Sequence, residues 1–417
     1  MDAESLARQA QLASYDCADL STAQRNQILL AMAEIIDSNQ DRVLAANRAD
    51  VEIARQTGLG EALTDRLALS EKGIREITDS LRKVAQLNDP TDEVIEGYRL
   101  ESGLKLVKKR VPLGVVCVIY ESRPNVTVDI ASLCLKSGNA CILKGGKEAG
   151  GTNQVLFDLL QNAFRRFEVN HNIISFINSS ERSVVEQLLK LDQYIDMVIP
   201  RGGIQLQRFC LEHSNIPVII GGFGISHIFV DRSADLQRAV EVIINAKVQK
   251  PSACNALDTL LLHRDIAGPF LDIIKPRLAE YKVVMHADPE SMQLLGDYEL
   301  KSEMKESDPQ TEWLSMQMTV AVTDSVQGAI AHMRKYGANH SDAIMTEDVS
   351  NARYFVRHAG SACVYVNAST RFSDGGQFGF GAEVAISTQK LHARGPVGLR
   401  DLTTCQYVLE GDYLPRS

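Results

Sequence analysis

Short apolar, β-branched runs alternate with helical segments through most of this chain, and this alternation limits the fold more than any other feature. Between residues 111 and 246 the runs and segments are 115–120, 126–137, 140–143, 151–166, 173–177, 183–190 and 195–199. A parallel strand needs a crossover helix to return to the same edge, so the pattern predicts a doubly wound α/β sheet. A further run at 226–230 and a helix at 235–246 precede the polar segment at 249–258, and a second alternation after it includes 259–262, 283–285, 318–322 and 361–366. We therefore predict two doubly wound α/β domains.

The flanking segments have other patterns. Residues 1–88 have helical periodicity, with Ser21 and Gln24 spaced as a capping box and a further helix starting at Ser70. Residues 94–110 alternate as a hairpin, which serves either a subunit contact or an ordinary surface. The charged segment 298–308 is predicted to be a surface excursion. The predicted domain boundaries are 1–230, 231–385 and 386–417.

Charge and cysteine usage exclude several classes of function. The 417 residues include 53 acidic and 44 basic side chains, a net charge of -9, so no basic footprint indicates nucleic acid or a membrane surface. The first residues lack the pattern of a signal peptide, which predicts a cytoplasmic location. The eight cysteines have no metal-ligand spacing, so we expect thiols, without a structural metal or disulfide.

One of these cysteines, Cys254, stands in a polar segment that reads QKPSACNALD from residue 249. Pro251 opposes helix continuation, so Cys254 is predicted on a loop between a helix and a strand. Lys250 would favour the reactive thiolate if it lay close. Most cysteines, however, are small buried hydrophobes. The local chemistry alone therefore leaves open whether Cys254 is a catalytic nucleophile or a core residue.

Polar residues follow the predicted strands of the first domain. Open parallel sheets bind ligands at the carboxyl ends of their strands, which here carry 120–125, 144–147 and 200–203. No G-x-G-x-x-G follows a strand, so the usual dinucleotide fingerprint is absent. Glycines and lysines at these ends suit a nucleotide phosphate, although a simple turn is the alternative. The Gly- and Arg-rich stretch 365–398 is either a binding loop or a solvated one.

Four segments together resemble one known family over essentially the whole chain. Residues 118–140, 196–203, 250–255 and 365–398 are similar to the gamma-glutamyl phosphate reductase family of the aldehyde dehydrogenase superfamily. The resemblance implies NADPH-dependent reduction of L-glutamyl 5-phosphate to L-glutamate 5-semialdehyde, with release of phosphate, in proline biosynthesis. It makes 1–230 the NADP-binding domain, with the hairpin for oligomerisation, and 231–385 the catalytic domain. It makes 386–417 a return to the cofactor domain and an oligomerisation tail. It also implies a homo-oligomer, with glutamate 5-kinase as a candidate partner.

The resemblance also implies the roles of individual residues. Cys254 matches the nucleophile, Asn125 the oxyanion asparagine, and Glu312 the residue that holds the nicotinamide ribose. Further cofactor-binding residues are Lys144, Gly145, Gly146, Lys147, Pro200, Arg201, Gly202 and Gly203. Candidates for the substrate's phosphate and carboxylate are Arg123, Arg371, Lys390, His392 and Arg394, together with Arg201, and surface ion pairs are the alternative for each.

Two departures from the superfamily pattern are informative. Lys147 stands where many aldehyde dehydrogenases have a glutamate for a free ribose hydroxyl, and a cation there favours a 2'-phosphate, hence NADP. Ile219 stands where oxidising members have a general base for thioester hydrolysis. Two rivals remain: another thiol-dependent aldehyde dehydrogenase, and a catalytically silent nucleotide-binding module.

Overall fold

A computed structural model describes residues 2–179 and 181–415 of the chain, apart from the side chains at 61 and 62. The chain forms two compact units, and each of them is built from more than one stretch of the sequence. Unit 1 comprises Met1–Gly221, Gly379–Ala385 and Pro396–Ser417, and unit 2 comprises Gly222–Phe378 and Ile386–Gly395.

Helices open unit 1, as the periodicity predicts. The Ser21 hydroxyl accepts the Gln24 N–H, and the Gln24 side chain accepts the Ser21 N–H, so the predicted capping box is confirmed. Ser70 likewise caps its helix through the Gly73 N–H at 3.1 Å. The helices are α1 (Ala3–Asp19), α2 (Thr22–Asp37), α3 (Gln40–Gln56), α4 (Glu61–Leu67) and α5 (Glu71–Gln86).

A hairpin and a four-stranded parallel sheet follow. β1 (Val94–Arg99) and β2 (Lys105–Pro112) pair antiparallel, which confirms the hairpin. The sheet and its helices are β3 (Val115–Tyr120), α6 (Pro124–Lys136), β4 (Ala140–Lys144), α7 (Gly150–Arg166), β5 (Ile174–Phe176), α8 (Arg182–Leu188), β6 (Met197–Arg201) and α9 (Ile204–His213). The strand order is β5-β4-β3-β6, so the winding reverses beside β3. Ligands bind at the carboxyl ends of strands at such a reversal, here β3 and β6.

Unit 2 is built on a seven-stranded parallel sheet of order β10-β9-β11-β8-β7-β12-β13. Its elements are β7 (Ser226–Val230), α10 (Leu236–Val248), β8 (Leu257–His263), α11 (Arg264–Glu280), β9 (Val284–Ala287), α12 (Pro289–Leu294), β10 (Lys301–Glu303), β11 (Gln317–Thr323), α13 (Val326–Tyr336), β12 (Ser341–Met345), α14 (Val349–His358) and β13 (Cys363–Val366). β7 lies in this sheet, although the predicted boundary at 230 assigned its residues to the first domain. With the sheet of unit 1, this confirms the predicted α/β class.

The predicted surface excursion at 298–308 is wrong in part. β10 lies within it and pairs parallel with β9 at the edge of the sheet. Tyr298 is buried, and its hydroxyl donates to the Val283 carbonyl at 2.6 Å. The charges misled the prediction because an edge strand carries charged side chains without loss of pairing.

The last strands are short except for one. They are β14 (Ile386–Ser387), β15 (Gly395–Pro396) and β16 (Thr403–Glu410). β16 pairs antiparallel with β2 and extends the hairpin to a three-stranded sheet. Tyr98, Tyr407 and Leu409 are each more than half exposed on this sheet. Its role in oligomerisation stays a prediction.

Candidate functional site

Cys254 lies on the loop between α10 and β8, as predicted from the proline at position 251. Two tight turns shape this loop: the Ala253 N–H donates to the Lys250 carbonyl at 3.1 Å, and the Ala256 N–H donates to the Ala253 carbonyl at 3.0 Å. The Cys254 side chain is half-buried. A rigid loop therefore presents a thiol that a substrate can reach.

The other seven cysteines lack this combination. Six are buried, and Cys405 is exposed on β16. Burial raises the pKa of Cys17, Cys117 and Cys210 to about 12, so these thiols carry almost no nucleophilic thiolate near neutral pH. Among the described residues no disulfide joins any pair of cysteines.

Gly224, just before β7, joins the cysteine loop to Glu312. A Cβ at this position would overlap the Cys254 carbonyl oxygen and lie 2.7 Å from its carbonyl carbon. The Gly224 N–H donates to Glu312 Oε1 at 3.1 Å. The predicted nucleophile and the predicted ribose-binding carboxylate thus meet the same glycine, whose missing side chain permits the approach.

Asp258, the second residue of β8, fixes the surrounding segments. Its carboxylate accepts the Trp313 N–H at 2.9 Å and the Ser226 N–H at 3.2 Å. The ammonium of buried Lys247 donates to the Leu257 carbonyl at 2.7 Å. Burial raises the pKa of Asp258 to about 6 and lowers the pKa of Lys247 to about 8, and the charge of each opposes the shift of the other. Asp258 thereby holds the backbone next to Glu312.

Arg371 contacts both ends of the cysteine loop. Its Nε donates to Gln249 Oε1 at 3.1 Å, and its Nη1 donates to Asn255 Oδ1. Lys390, His392 and Arg394 are exposed in the shorter segment of unit 2, and the Arg394 guanidinium donates to the Gly360 carbonyl. Arg371 is therefore a substrate-binding candidate in unit 2 that contacts the cysteine loop.

Asn125 lies in unit 1, in the first turn of α6, two residues after Arg123. Its Nδ2 donates to Asp129 Oδ2 at 2.9 Å, and the Ser80 hydroxyl donates to Asp129 Oδ1 at 3.5 Å. Burial raises the pKa of Asp129 to about 6, against the opposing effects of the Asn125 hydrogen bond and the Arg201 charge. Asp129 therefore orients the amide of the predicted oxyanion donor.

The turn after β4 has groups that suit a nucleotide phosphate. A Cβ at Gly145 would overlap the Asn153 amide nitrogen, and in the described structure this nitrogen is buried without a hydrogen-bond partner. Lys144 is buried and donates to the Gly145 carbonyl at 2.8 Å, whereas Lys147 is exposed. Because an unsatisfied buried donor costs free energy, an acceptor at this turn is favourable. These residues fit a phosphate-bearing nicotinamide cofactor.

The end of β6 and the turn that follows it, residues 200–203, are partly covered by an acidic side chain. Glu121 Oε2 accepts the Gly203 N–H at 2.9 Å, and a Cβ at Gly202 would lie 2.5 Å from the same oxygen. A phosphate at this turn would meet the Glu121 carboxylate, and like charges repel. Of the two glycine turns, the one after β4 is therefore better prepared for an anion.

The described part of the chain has neither a grouped set of metal ligands nor a helix suited to a membrane. Within residues 2–179 and 181–415, no three His, Cys, Asp or Glu side chains are grouped to hold a metal ion. No helix in the described part of the chain is long and apolar enough to cross a membrane.

No sequence pattern predicted a role for Gly224, Asn255, Asp129, Asp258 or Lys247. Asn255 offered a signal, because a polar residue between a nucleophile and an apolar strand must have its amide satisfied if it is buried. For the others, the function depends on contacts with residues distant along the chain.

Comparison with known proteins gives a consistent result. Residues 1–294 match the aldehyde dehydrogenase family. A gamma-glutamyl phosphate reductase from Vibrio cholerae serotype O1 is 52% identical over 417 residues, with 100% of both chains covered. The crystal structure of a gamma-glutamyl phosphate reductase from Thermotoga maritima has a TM-score of 0.95 and 43% identity, again with 100% of both chains covered. An engineered glycolyl-CoA reductase, 14% identical over 98% of this chain and 96% of its own, shares the fold with a TM-score of 0.72.

Proposed function

We propose the function of this chain from its family: it belongs to the aldehyde dehydrogenase family and, within it, to the gamma-glutamyl phosphate reductases. The proposed reaction is the NADPH-dependent reduction of L-glutamyl 5-phosphate to L-glutamate 5-semialdehyde with release of phosphate, the second step of proline biosynthesis from glutamate. The observation that carries the proposal is the close approach of the Cys254 loop to Gly224. The Gly224 N–H in turn donates a hydrogen bond to Glu312.

Cys254 is the proposed nucleophile. Its thiolate attacks the acyl carbon of the phosphoryl anhydride, the bond from that carbon to the phosphate oxygen breaks, and a thioester forms on Cys254. The Cys254 backbone N–H and the Asn125 amide are the proposed donors to the tetrahedral oxyanion. After reduction, Cys254 holds a thiohemiacetal, which collapses to release the semialdehyde and restore the thiolate.

The aldehyde dehydrogenase family uses nicotinamide cofactors, and such a cofactor supplies a hydride when it is bound. The residues proposed to hold it are Glu312 and those at 144–147 and 200–203. Exposed Lys147 supports NADPH over NADH, because its ammonium attracts a 2'-phosphate.

The chain also lacks the residue that oxidising relatives use to hydrolyse the thioester. Ile219, which occupies that position, is buried and apolar. Because an isoleucine accepts no proton, it activates no water. The Cys254 thioester is therefore preserved for reduction in the biosynthetic direction and for phosphate in the reverse direction.

The enzyme acts on a small-molecule substrate whose proposed anion-binding residues are Arg123, Arg371, Lys390, His392 and Arg394. Three further points stay predictions: assembly into a homo-oligomer through the β1-β2-β16 sheet, a cytoplasmic location, and delivery of the acyl phosphate by glutamate 5-kinase. The exposed tyrosines of that sheet support its role in the homo-oligomer.

The reverse reaction tests the proposed function. The purified protein receives L-glutamate 5-semialdehyde and NADP⁺, with phosphate, with coenzyme A, or with neither, and NADPH formation is followed by absorbance. We expect turnover that requires phosphate. Turnover that requires coenzyme A, or that proceeds without either acceptor, would instead identify another thiol-dependent aldehyde dehydrogenase.

Two cysteine variants accompany this assay. Cys254→Ala should abolish turnover while NADP⁺ binding, measured by calorimetry, is retained. Cys405→Ala, which removes an exposed thiol on β16, is the matched control and should keep wild-type turnover. Turnover by Cys254→Ala would overturn the assignment of the nucleophile.

A further inference from the structure

Asn255, the residue directly after Cys254, is buried at 3% exposure, and its hydrogen bonds reach one distant segment of the chain. Its Nδ2 donates to the Ser373 carbonyl at 2.8 Å and to the Arg371 carbonyl at 3.3 Å. Its Oδ1 accepts from the Arg371 guanidinium, and its backbone carbonyl accepts the Thr370 hydroxyl at 2.7 Å. One asparagine thus joins the cysteine loop to residues 370–373.

The guanidinium of Arg371 has a second hydrogen bond to the same loop. Its Nε donates to Gln249 Oε1 at 3.1 Å. Gln249 precedes Cys254 by five positions and Asn255 follows it, so the loop holds the guanidinium from both sides of the nucleophile. Ordering an arginine side chain costs rotamer entropy, and these hydrogen bonds offset that cost before any ligand binds.

The segment is also anchored to the sheet of unit 2. The Ser373 hydroxyl is hydrogen-bonded to the Ser341 hydroxyl at 2.5 Å and to the Tyr365 hydroxyl at 2.7 Å. Ser341 begins β12, and Tyr365 lies on β13. Because both ends of the connection are fixed, the fold holds residues 370–373 against the residue that follows Cys254 before any substrate binds.

We propose that Asn255 is a positioning residue that holds the Arg371 guanidinium beside Cys254, where the guanidinium binds the phosphate group of the acyl phosphate. This inference rests on the proposed function. The phosphate is bonded to the carbon that Cys254 attacks, whereas the substrate's α-carboxylate lies at the other end of its carbon chain. A cation tied to Asn255, beside the nucleophile, and to Gln249, at the start of its loop, is placed for the nearer anion, and a guanidinium matches phosphate oxygens in a bidentate manner.

The reverse reaction separates the two anions, because phosphate and the carboxylate-bearing semialdehyde are then different substrates. Wild-type enzyme is measured first, and a rate that does not depend on phosphate would reject the proposed function itself. If the wild-type rate depends on phosphate, Asn255→Ala should raise the KM for phosphate about tenfold or more, which is the usual effect of losing a charge-assisted hydrogen bond. The KM for the semialdehyde should stay within about threefold.

A double-mutant cycle shows whether Asn255 acts through Arg371. Arg371→Ala should raise the KM for phosphate by more than Asn255→Ala does, and the double variant should match Arg371→Ala alone, because the two residues serve one interaction. Independent, multiplying effects would reject positioning. A rise in the KM for the semialdehyde with an unchanged KM for phosphate would also overturn the proposal, since Arg371 would then bind the carboxylate.

Gln249→Ala keeps the proposal testable if Asn255→Ala does not fold. Gln249 is exposed, so its removal leaves the buried network intact. It should raise the KM for phosphate about threefold, while Gln237→Ala, which alters an exposed glutamine of α10, should leave it unchanged. Equal KM values for phosphate in wild-type, Gln249→Ala and Gln237→Ala proteins would count against the positioning of Arg371.

Discussion

Gly224→Ala tests whether catalysis depends on the close approach of the cysteine loop to the start of β7. The added Cβ would overlap the Cys254 carbonyl oxygen and lie 2.7 Å from its carbonyl carbon and 3.3 Å from its Cα. Non-bonded carbons are most stable at roughly 3.5–4.0 Å, and the overlapping carbonyl oxygen must move further than the carbon, so the cysteine backbone must move by at least about 1 Å. The Gly224 N–H that donates to Glu312 remains, which confines the change to the loop.

The size of the effect follows from this displacement. A shift of about 1 Å in a reacting group costs on the order of 100-fold in rate, or about 2.7 kcal/mol of activation free energy. Forcing an extra methyl into a packed site costs about 1–3 kcal/mol of stability, which a two-domain chain of this size tolerates. We therefore expect a folded protein with kcat lowered about 100-fold or more.

Three measurements check this expectation: kcat for the phosphate-dependent reverse reaction, the rate at which iodoacetamide alkylates Cys254, and thermal unfolding. The matched control is Gly268→Ala, in α11 of the same unit, whose Cβ would lie at an ordinary 3.6 Å from Leu294 Cδ2. A Gly224→Ala enzyme with kcat within threefold of wild type and an unchanged alkylation rate would refute the reasoning.

Three further changes give distinct outcomes. Asn125→Ala should lower kcat by about 10²–10³ if its amide donates to the oxyanion, and a smaller than threefold loss would assign that role to another group. Lys147→Glu should shift the ratio of kcat/KM for NADPH over NADH towards NADH by about tenfold or more, and an unchanged ratio would reject the contact with the 2'-phosphate. The pKa of Asp258 rises from 3.8 to about 6 on burial, so the folded state retains a proton that the unfolded chain releases. Its contribution to stability is therefore present below pH 4 and is lost as pH rises through about 6, by an amount on the order of 3 kcal/mol. Asp258→Asn should lack this component when the free energy of unfolding is measured by urea titration between pH 4 and pH 7, and an identical pH profile would contradict the buried carboxyl.

The sequence predicted the elements of the fold because their signals are local. Ser21 and Gln24 are three positions apart and cap one helix, and Pro251 acts on its own neighbours to end another. The charged segment around β10 misled the prediction, because an edge strand and a surface loop have the same composition.

The sequence alone determined the class of the fold, the loop that presents Cys254 and, through the family resemblance, the proposed reaction. Only the tertiary structure decided what surrounds the thiol. Open parallel sheets generally bind ligands at the carboxyl ends of their strands. In unit 2, however, Gly224, Cys254 and Glu312 precede β7, β8 and β11, and they meet at the amino ends of these strands.

Arg371 lies 116 positions from Asn255 along the chain, yet its guanidinium donates to the Asn255 side chain. The physical reason is that periodicity and breaker residues report which face of an element is buried, but not which distant group will satisfy a buried amide. That choice is made only when the sheet of unit 2 brings β8, β12 and β13 together, and it is this choice that places Arg371 against Asn255, the residue that follows Cys254.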